Sequence, residues 1–178
     1  MKLHQKITPF LWFDNQAEEA ANFYVSIFSA LPGRDLASGG KNSQIKQIEK
    51  YPEAAQAVSG KIAGSVMTVE FEIEGMTFTA LNGGPVPGFD FSPATSFVVN
   101  CETQEEIDHL WKNLSSDPKA EQCGWCKDKF GITWQIVPSI LTKFLSGADK
   151  SKVERVTKAF LQMKKFDIAK LKEAYNQQ

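Results

Sequence analysis

The stretch Cys123-Gly-Trp-Cys-Lys-Asp-Lys-Phe-Gly-Ile-Thr-Trp-Gln-Ile-Val-Pro138 reads as a strand, a tight turn and a second strand. Asp128-Lys129-Phe130-Gly131 supplies the turn, with Gly131 free to take the positive φ that a hairpin corner often needs. Strict alternation follows. Ile132, Trp134 and Ile136 share one face, Thr133, Gln135 and Val137 the other, and Pro138, which has no N–H to donate, ends the ladder. Gln135 is the polar residue on which the functional reading turns. It either offers its amide to a ligand or satisfies it on neighbouring backbone or on Asn82.

Upstream, Ala94-Thr-Ser-Phe-Val-Val-Asn100 predicts a strand, Thr103 with Glu106 a capping box, and Ile107, Leu110, Trp111 and Leu114 the apolar stripe of a helix. The same order stands at the start of the chain. Ile7-Thr-Pro-Phe-Leu-Trp-Phe13 predicts a strand, Asn15 with Glu18 a capping box, and Ala20, Phe23, Tyr24, Ile27 and Phe28 a helix that Pro32-Gly33 stops. Residues 33 to 46, with Gly39-Gly40, read as loop; a weak strand over 44–50 and a helical turn over 52–57 follow. Ser65 to Glu74 alternates, Gly75 turns it into Met76 to Asn82, and Gly83-Gly-Pro-Val-Pro-Gly88 reads as a linker between halves. A βα unit followed by strands thus occurs twice, which predicts an internal structural repeat in an α+β fold. Beyond Pro138 the pattern is helical: Ile140 to Leu145, a helix capped by Ser151 with Glu154, and a last one begun by Asp167.

A chain of 178 residues with 42% hydrophobic content suits one substantial core, and a net charge of -1 offers no basic field for nucleic acid or anionic lipid. No apolar run approaches the roughly 18–20 residues that span a bilayer. Three cysteines and no export signal fit a reducing cytoplasm.

Few residues offer catalytic chemistry. Cys123-Gly-Trp-Cys126 has redox or zinc spacing, but on a regular strand residues three apart face opposite ways, and no second pair completes a zinc site. His4 and His109 read as surface residues without acid partners; Glu70, Glu72 and Glu74 read as a solvated or rim-lining face rather than an acid/base pair. Ser96 lacks the histidine and aspartate of a nucleophilic triad. Trp12 and Trp125 either stack on a flat ligand or belong to the core, while Trp111 and Trp134 read as core.

Phe10-Leu-Trp-Phe13, Asn82-Gly-Gly-Pro85, Ser96-Phe-Val-Val-Asn-Cys101, Cys123-Gly-Trp125, the run from Asp128 to Pro138 and Met163-Lys-Lys165 together resemble the PhnB-like branch, often labelled 3-demethylubiquinone methyltransferase-like. That branch belongs to the vicinal oxygen chelate superfamily of glyoxalase I, bleomycin-resistance proteins and extradiol dioxygenases. The resemblance implies two βαβββ modules, about 5–84 and 92–138, curled into a cupped mixed sheet within a domain of residues 1–138. The helical extension would then be residues 139–178. It places the superfamily's metal-ligating positions near Thr8, at about Asn82, and at Ser96 and Gln135, none of them a histidine or carboxylate. Neutral amides and hydroxyls offset the dehydration of a divalent cation poorly, so no tight metal and no other cofactor is expected.

The expectation is therefore a cytoplasmic protein, by analogy a homodimer, that binds a small molecule in a pocket lined by Thr8, Trp12, Asn82, Ser96, Trp125 and Gln135. Nucleic-acid and membrane partners are not expected. A metal-dependent enzyme of glyoxalase or dioxygenase type and a stoichiometric interaction protein stay open as alternatives. The methyltransferase label finds no residues: neither Gly39-Gly40 nor Gly83-Gly84 sits between a strand and a helix as a cofactor-binding turn requires.

Overall fold

In a computed structural model of the chain, residues 5–33 and 43–177 are described; His4 and Gly39-Gly40 lie outside them. The fold is α+β and divides into two compact units, the first ending at Phe89 and the second beginning at Asp90.

The first unit runs β1 (Phe10–Phe13), α1 (Ala17–Ser29), β2 (Gln44–Lys50), α2 (Glu53–Ser59), β3 (Val66–Ile73) and β4 (Met76–Asn82). Its sheet has the order β1-β4-β3-β2, with β1 parallel to β4 and the other pairs antiparallel. Glu74 and Gly75 take φ of 49° and 79°, the paired left-handed conformation of a two-residue hairpin turn. Glu74 therefore leaves the alternation that Glu70 and Glu72 keep. Alternation turns Val69, Phe71 and Ile73 of β3 and Phe78 and Ala80 of β4 toward α1, whose Ala20, Tyr24, Ile27 and Phe28 are buried. Tyr24 stacks on Phe71 at 6.2 Å and Phe71 on Phe78 at 5.4 Å between ring centroids. The expected capping box of Asn15 and Glu18 does not form. Gln16 is the N-cap and makes no side-chain cap bond; the amide of Ala17 donates instead to Oδ1 of the distant Asn82, at 2.8 Å.

The second unit runs β5 (Ser96–Cys101), α3 (Gln104–Leu114), β6 (Trp125–Lys127), β7 (Thr133–Pro138), α4 (Ser139–Leu145), α5 (Lys150–Leu161) and α6 (Ile168–Asn176). Its sheet has the order β5-β7-β6, again with first and last strands parallel. Among the described residues this module has one strand fewer than the expected βαβββ: between α3 and β6 there is only an isolated bridge of Gln122 with Trp125. The Thr103–Glu106 capping box forms as predicted, and Asp167 caps α6. Asp149 rather than Ser151 caps α5, accepting from the amides of Ser151 and Lys152, which frees Glu154 to pair with Lys158 at 2.7 Å.

The helical tail packs with the second unit. Cys123 and Gly124 take φ of 49° and 82°, which breaks the expected strand before Trp125 and aims their amides at the tail. The Cys123 amide donates to the carbonyl of Met163 at 2.8 Å and the Gly124 amide to that of Lys164 at 2.7 Å. Phe166, buried, lies over Gly124 so closely that a Cβ there would stand 2.3 Å from its ring and 2.8 Å from the Ile136 carbonyl oxygen. Only glycine fits. Gly124→Ala should cost about 1–3 kcal/mol in overpacking alone, more than Gly33→Ala, where φ is 76° but no atom lies within 4 Å. Urea unfolding midpoints of the two variants check the order, and equal losses would show that the tail contact carries no stability.

Candidate functional site

Strand pairing decides which side chains share a face. In the second unit Asp128 sets that pairing. Its buried carboxylate accepts from the amides of Phe130 at 2.9 Å and Ile132 at 3.0 Å and from the Trp134 indole at 2.8 Å, while its backbone amide bonds the Ile132 carbonyl. Gly131, at φ 90°, turns the corner as expected. The hairpin then pairs Trp125 with Gln135, Cys126 with Trp134 and Lys127 with Thr133, and β5 adds Ser96 opposite Thr133 and Val98 opposite Gln135.

Directly paired residues project to the same side of a sheet. One face therefore carries Phe97, Cys101, Cys126, Trp134 and Ile136; Phe97 and Trp134 pack at 5.4 Å, and the face is covered by α3 through Ile107, Leu110 and Leu114. The other face carries Ser96, Val98, Trp125, Lys127, Thr133 and Gln135. The structure thus brings three predicted residues together. Gln135 Nε2 donates to Ser96 Oγ at 2.8 Å, so its protein partner is Ser96 rather than Asn82, and Trp125 stands beside it in register. Sequence reasoning passed over Thr133. It is 4% exposed, and its hydroxyl has no hydrogen-bond partner among the described residues. Its shared parity with Gln135 was the available signal.

In the first unit the predicted residues separate. Thr8 lies two residues before β1, half-buried. Trp12 pairs with Leu81 and Phe13 with Asn82, so Asn82 faces the helix and not the open side. Its placement as pocket lining is corrected: a one-residue offset along a strand reverses the face. Asn82 Oδ1 accepts from Ala17, Nδ2 donates to the Val66 carbonyl at 3.1 Å, and its own carbonyl accepts from Tyr51 Oη at 2.7 Å. On the open face β1 meets two positions of β4, Thr79 opposite Phe10 and the apolar Leu81 opposite Trp12. Trp12 is on the open face, but its ring lies on Gly83, where a Cβ would be 2.1 Å away. Its indole N–H donates to the Gly84 carbonyl at 2.8 Å, and Phe89 meets it edge-on at 5.3 Å. Much of its surface is committed to anchoring residues 83–89.

The three thiols are free. The premise that Cys123 and Cys126 share a regular strand does not hold, since β6 starts at Trp125. A reactive pair is nevertheless disfavoured. Burial, then the charge of Asp128 and of Glu121, pushes the Cys126 thiol up to about 12, and burial with Glu106 and Glu102 does the same for Cys101. The metal that the superfamily resemblance implies does not fit the donors either: Thr8, Ser96 and Gln135 are neutral, and no group of three His, Cys, Asp or Glu among the described residues could hold an ion. Two surface cavities, of about 500 Å³ between α5 and α6 and about 410 Å³ where Gln104 meets Ile168, contain none of the predicted site residues.

The chain belongs to the family described as 3-demethylubiquinone-9 3-methyltransferase, whose signature matches residues 5–137. A PhnB protein from Bacillus cereus shares 34% identity over 76% of this chain and 100% of its own, with a TM-score of 0.57. Protein PA1353 from Pseudomonas aeruginosa shares the fold at 16% identity, over 76% of this chain and 98% of its own, with a TM-score of 0.50. No curated protein matches. Among the described residues no helix is long and apolar enough to cross a membrane.

Two outcomes follow. Asn82→Ala removes the partners of the Ala17 amide and the Val66 carbonyl and should cost about 2–3 kcal/mol, seen as a lower urea midpoint; an unchanged midpoint would return Asn82 to the list of ligand residues. For the thiols, the folded-state value of about 12 lies above the ordinary 9.0, so the stability they contribute is complete below pH 9.0 and is lost as pH rises from 9.0 toward 12. Urea midpoints measured across that window should fall, and fall less in a Cys101→Ala, Cys126→Ala double variant; parallel profiles would contradict the burial argument.

Proposed function

We propose that the protein is a PhnB-like member of the vicinal oxygen chelate superfamily that binds a small molecule on the open face of the β5-β7-β6 sheet, without a tightly held metal. The observation that carries this reading is the group formed by Gln135, Ser96 and Thr133. A hydrogen-bonded amide and hydroxyl lie beside a buried hydroxyl that lacks a partner, with the Trp125 indole next to them. A buried polar group without a partner costs about 1–3 kcal/mol, and a bound molecule that supplies the partner recovers that cost. The neutral donor set supports recognition rather than metal chemistry. Of the residues expected to line the pocket, Ser96, Trp125 and Gln135 of the second unit stay in the proposal, while Thr8, Trp12 and Asn82 of the first unit leave it.

Among the described residues the family's methyltransferase description finds no support in the glycines. Gly83-Gly84 follows β4 but opens no helix, and Trp12 occupies the space beside it. Binding or sequestration of a small molecule, by a homodimer in the cytoplasm and without nucleic-acid or membrane partners, is the proposal that the composition and family resemblance favour.

A thermal-shift screen of the full chain over aromatic metabolites and planar drugs tests it, because a ligand near saturation raises the unfolding temperature by mass action. At least one compound should give a saturable shift that Gln135→Ala or Trp125→Ala removes while each variant stays folded. A screen without any Gln135-dependent shift would overturn the proposal. So would a stoichiometric transition metal, retained on purification without chelators and bound through Ser96 or Gln135.

A further inference from the structure

The open face of the second sheet is arranged in rows across three strands. One row runs Ser96, Thr133, Lys127; the next runs Val98, Gln135, Trp125. Their chemistry differs. The second row brackets an amide between an aliphatic side chain and an indole, a surface suited to a flat apolar body. The first row consists of donors. Ser96 Oγ already accepts from Gln135 and keeps its own proton to give. The Thr133 hydroxyl is buried and has no partner among the described residues. Lys127 is half-buried, and its ammonium has no ion pair among the described residues.

Acids close to the hairpin in sequence have partners of their own, Asp117 through the Lys119 amide at 3.0 Å. Asp128 holds the turn amides and the Trp134 indole, and Glu121 takes Ser115 and Lys164. No acidic residue occurs in β5, β6 or β7. Two hydroxyls and an uncompensated cation in one row, with an aromatic platform in the next, match one kind of ligand. We infer that this site selects a planar organic carboxylate, its oxygens received by Ser96, Thr133 and Lys127 and its flat body lying across Val98, Gln135 and Trp125. The inference rests on the ligand-site reading above and narrows it.

Benzoate and benzamide share a shape and differ in charge, which makes them the probes, with cyclohexanecarboxylate as the non-planar anion. Calorimetric titration of the full chain should show benzoate binding about tenfold tighter than benzamide, the scale of one charge-assisted hydrogen bond, and tighter than cyclohexanecarboxylate. Lys127→Met, which keeps the methylene stem, should weaken benzoate to the level of benzamide and leave benzamide unchanged. Thr133→Val is close in shape and removes the orphan hydroxyl. It should raise the unfolding temperature of the free protein while weakening benzoate, a pairing that a purely structural threonine would not produce.

Equal binding of benzoate and benzamide, an equal loss of both in Lys127→Met, or a free Thr133→Val protein that unfolds earlier would each overturn the inference. Absence of benzoate binding overturns it in every case. The ligand-site reading itself survives such a failure if other compounds still give shifts that depend on Gln135, and falls with it if none does.

Discussion

A single buried carboxylate holds the register on which the second unit depends. Asp128 receives two turn amides and the Trp134 indole, and this fixes how β6 lies against β7. Charged acceptors of backbone amides are among the stronger hydrogen bonds in proteins, and a carboxylate with several such donors tolerates burial that it otherwise would not. A one-residue shift of β6 against β7 would send Trp125 and Lys127 to the helix-covered side and bring Cys126 into the open. The candidate site is in this sense a consequence of the turn.

The two units use one plan for different ends. Each pairs its first and last strands in parallel, so residues far apart in sequence meet on one face. In the first unit that pairing delivers Asn82 to the start of α1, where it caps the helix from a strand, and leaves Thr79, Leu81 and a committed Trp12 on the open side. In the second, the helix has its own capping box, and the parallel pair delivers Ser96 and Gln135 to the open side instead. The asymmetry has a physical origin. Thr103 and Glu106 satisfy the first amides of α3 locally, whereas Gln16 provides no such cap for α1, so the first unit spends the Asn82 amide on structure.

Period-two alternation made most of this architecture readable in advance. The repeat, the Gly75 and Gly131 turns, the Thr103 cap and the faces of residues 132–137 all rest on local pattern, and local pattern survives folding when nothing distant competes with it. The misreadings have non-local causes. Asn82 came from the superfamily resemblance, and the parallel partner that sets its face is about seventy positions away. Cys123 and Gly124 read as strand, yet the carbonyls of Met163 and Lys164 draw their amides into a left-handed turn. Thr133 carried only its shared parity with Gln135, because a threonine in a strand is ordinary until its hydroxyl is found buried without a partner among the described residues.

What unites the site is the absence of ionised ligands where the superfamily resemblance implies a metal, and the presence of an amide, hydroxyls and an indole in their place. In the proposed reading such a face selects by hydrogen bonding, charge and shape rather than by Lewis-acid strength. The most direct measurement is the side-chain amide signal of Gln135 in a proton–nitrogen correlation spectrum, followed while a thermally stabilising compound is titrated into the full chain and compared with the signal of Asn82. The account predicts a saturable shift at Gln135 and a stationary Asn82. A moving Asn82 with a stationary Gln135 would contradict it.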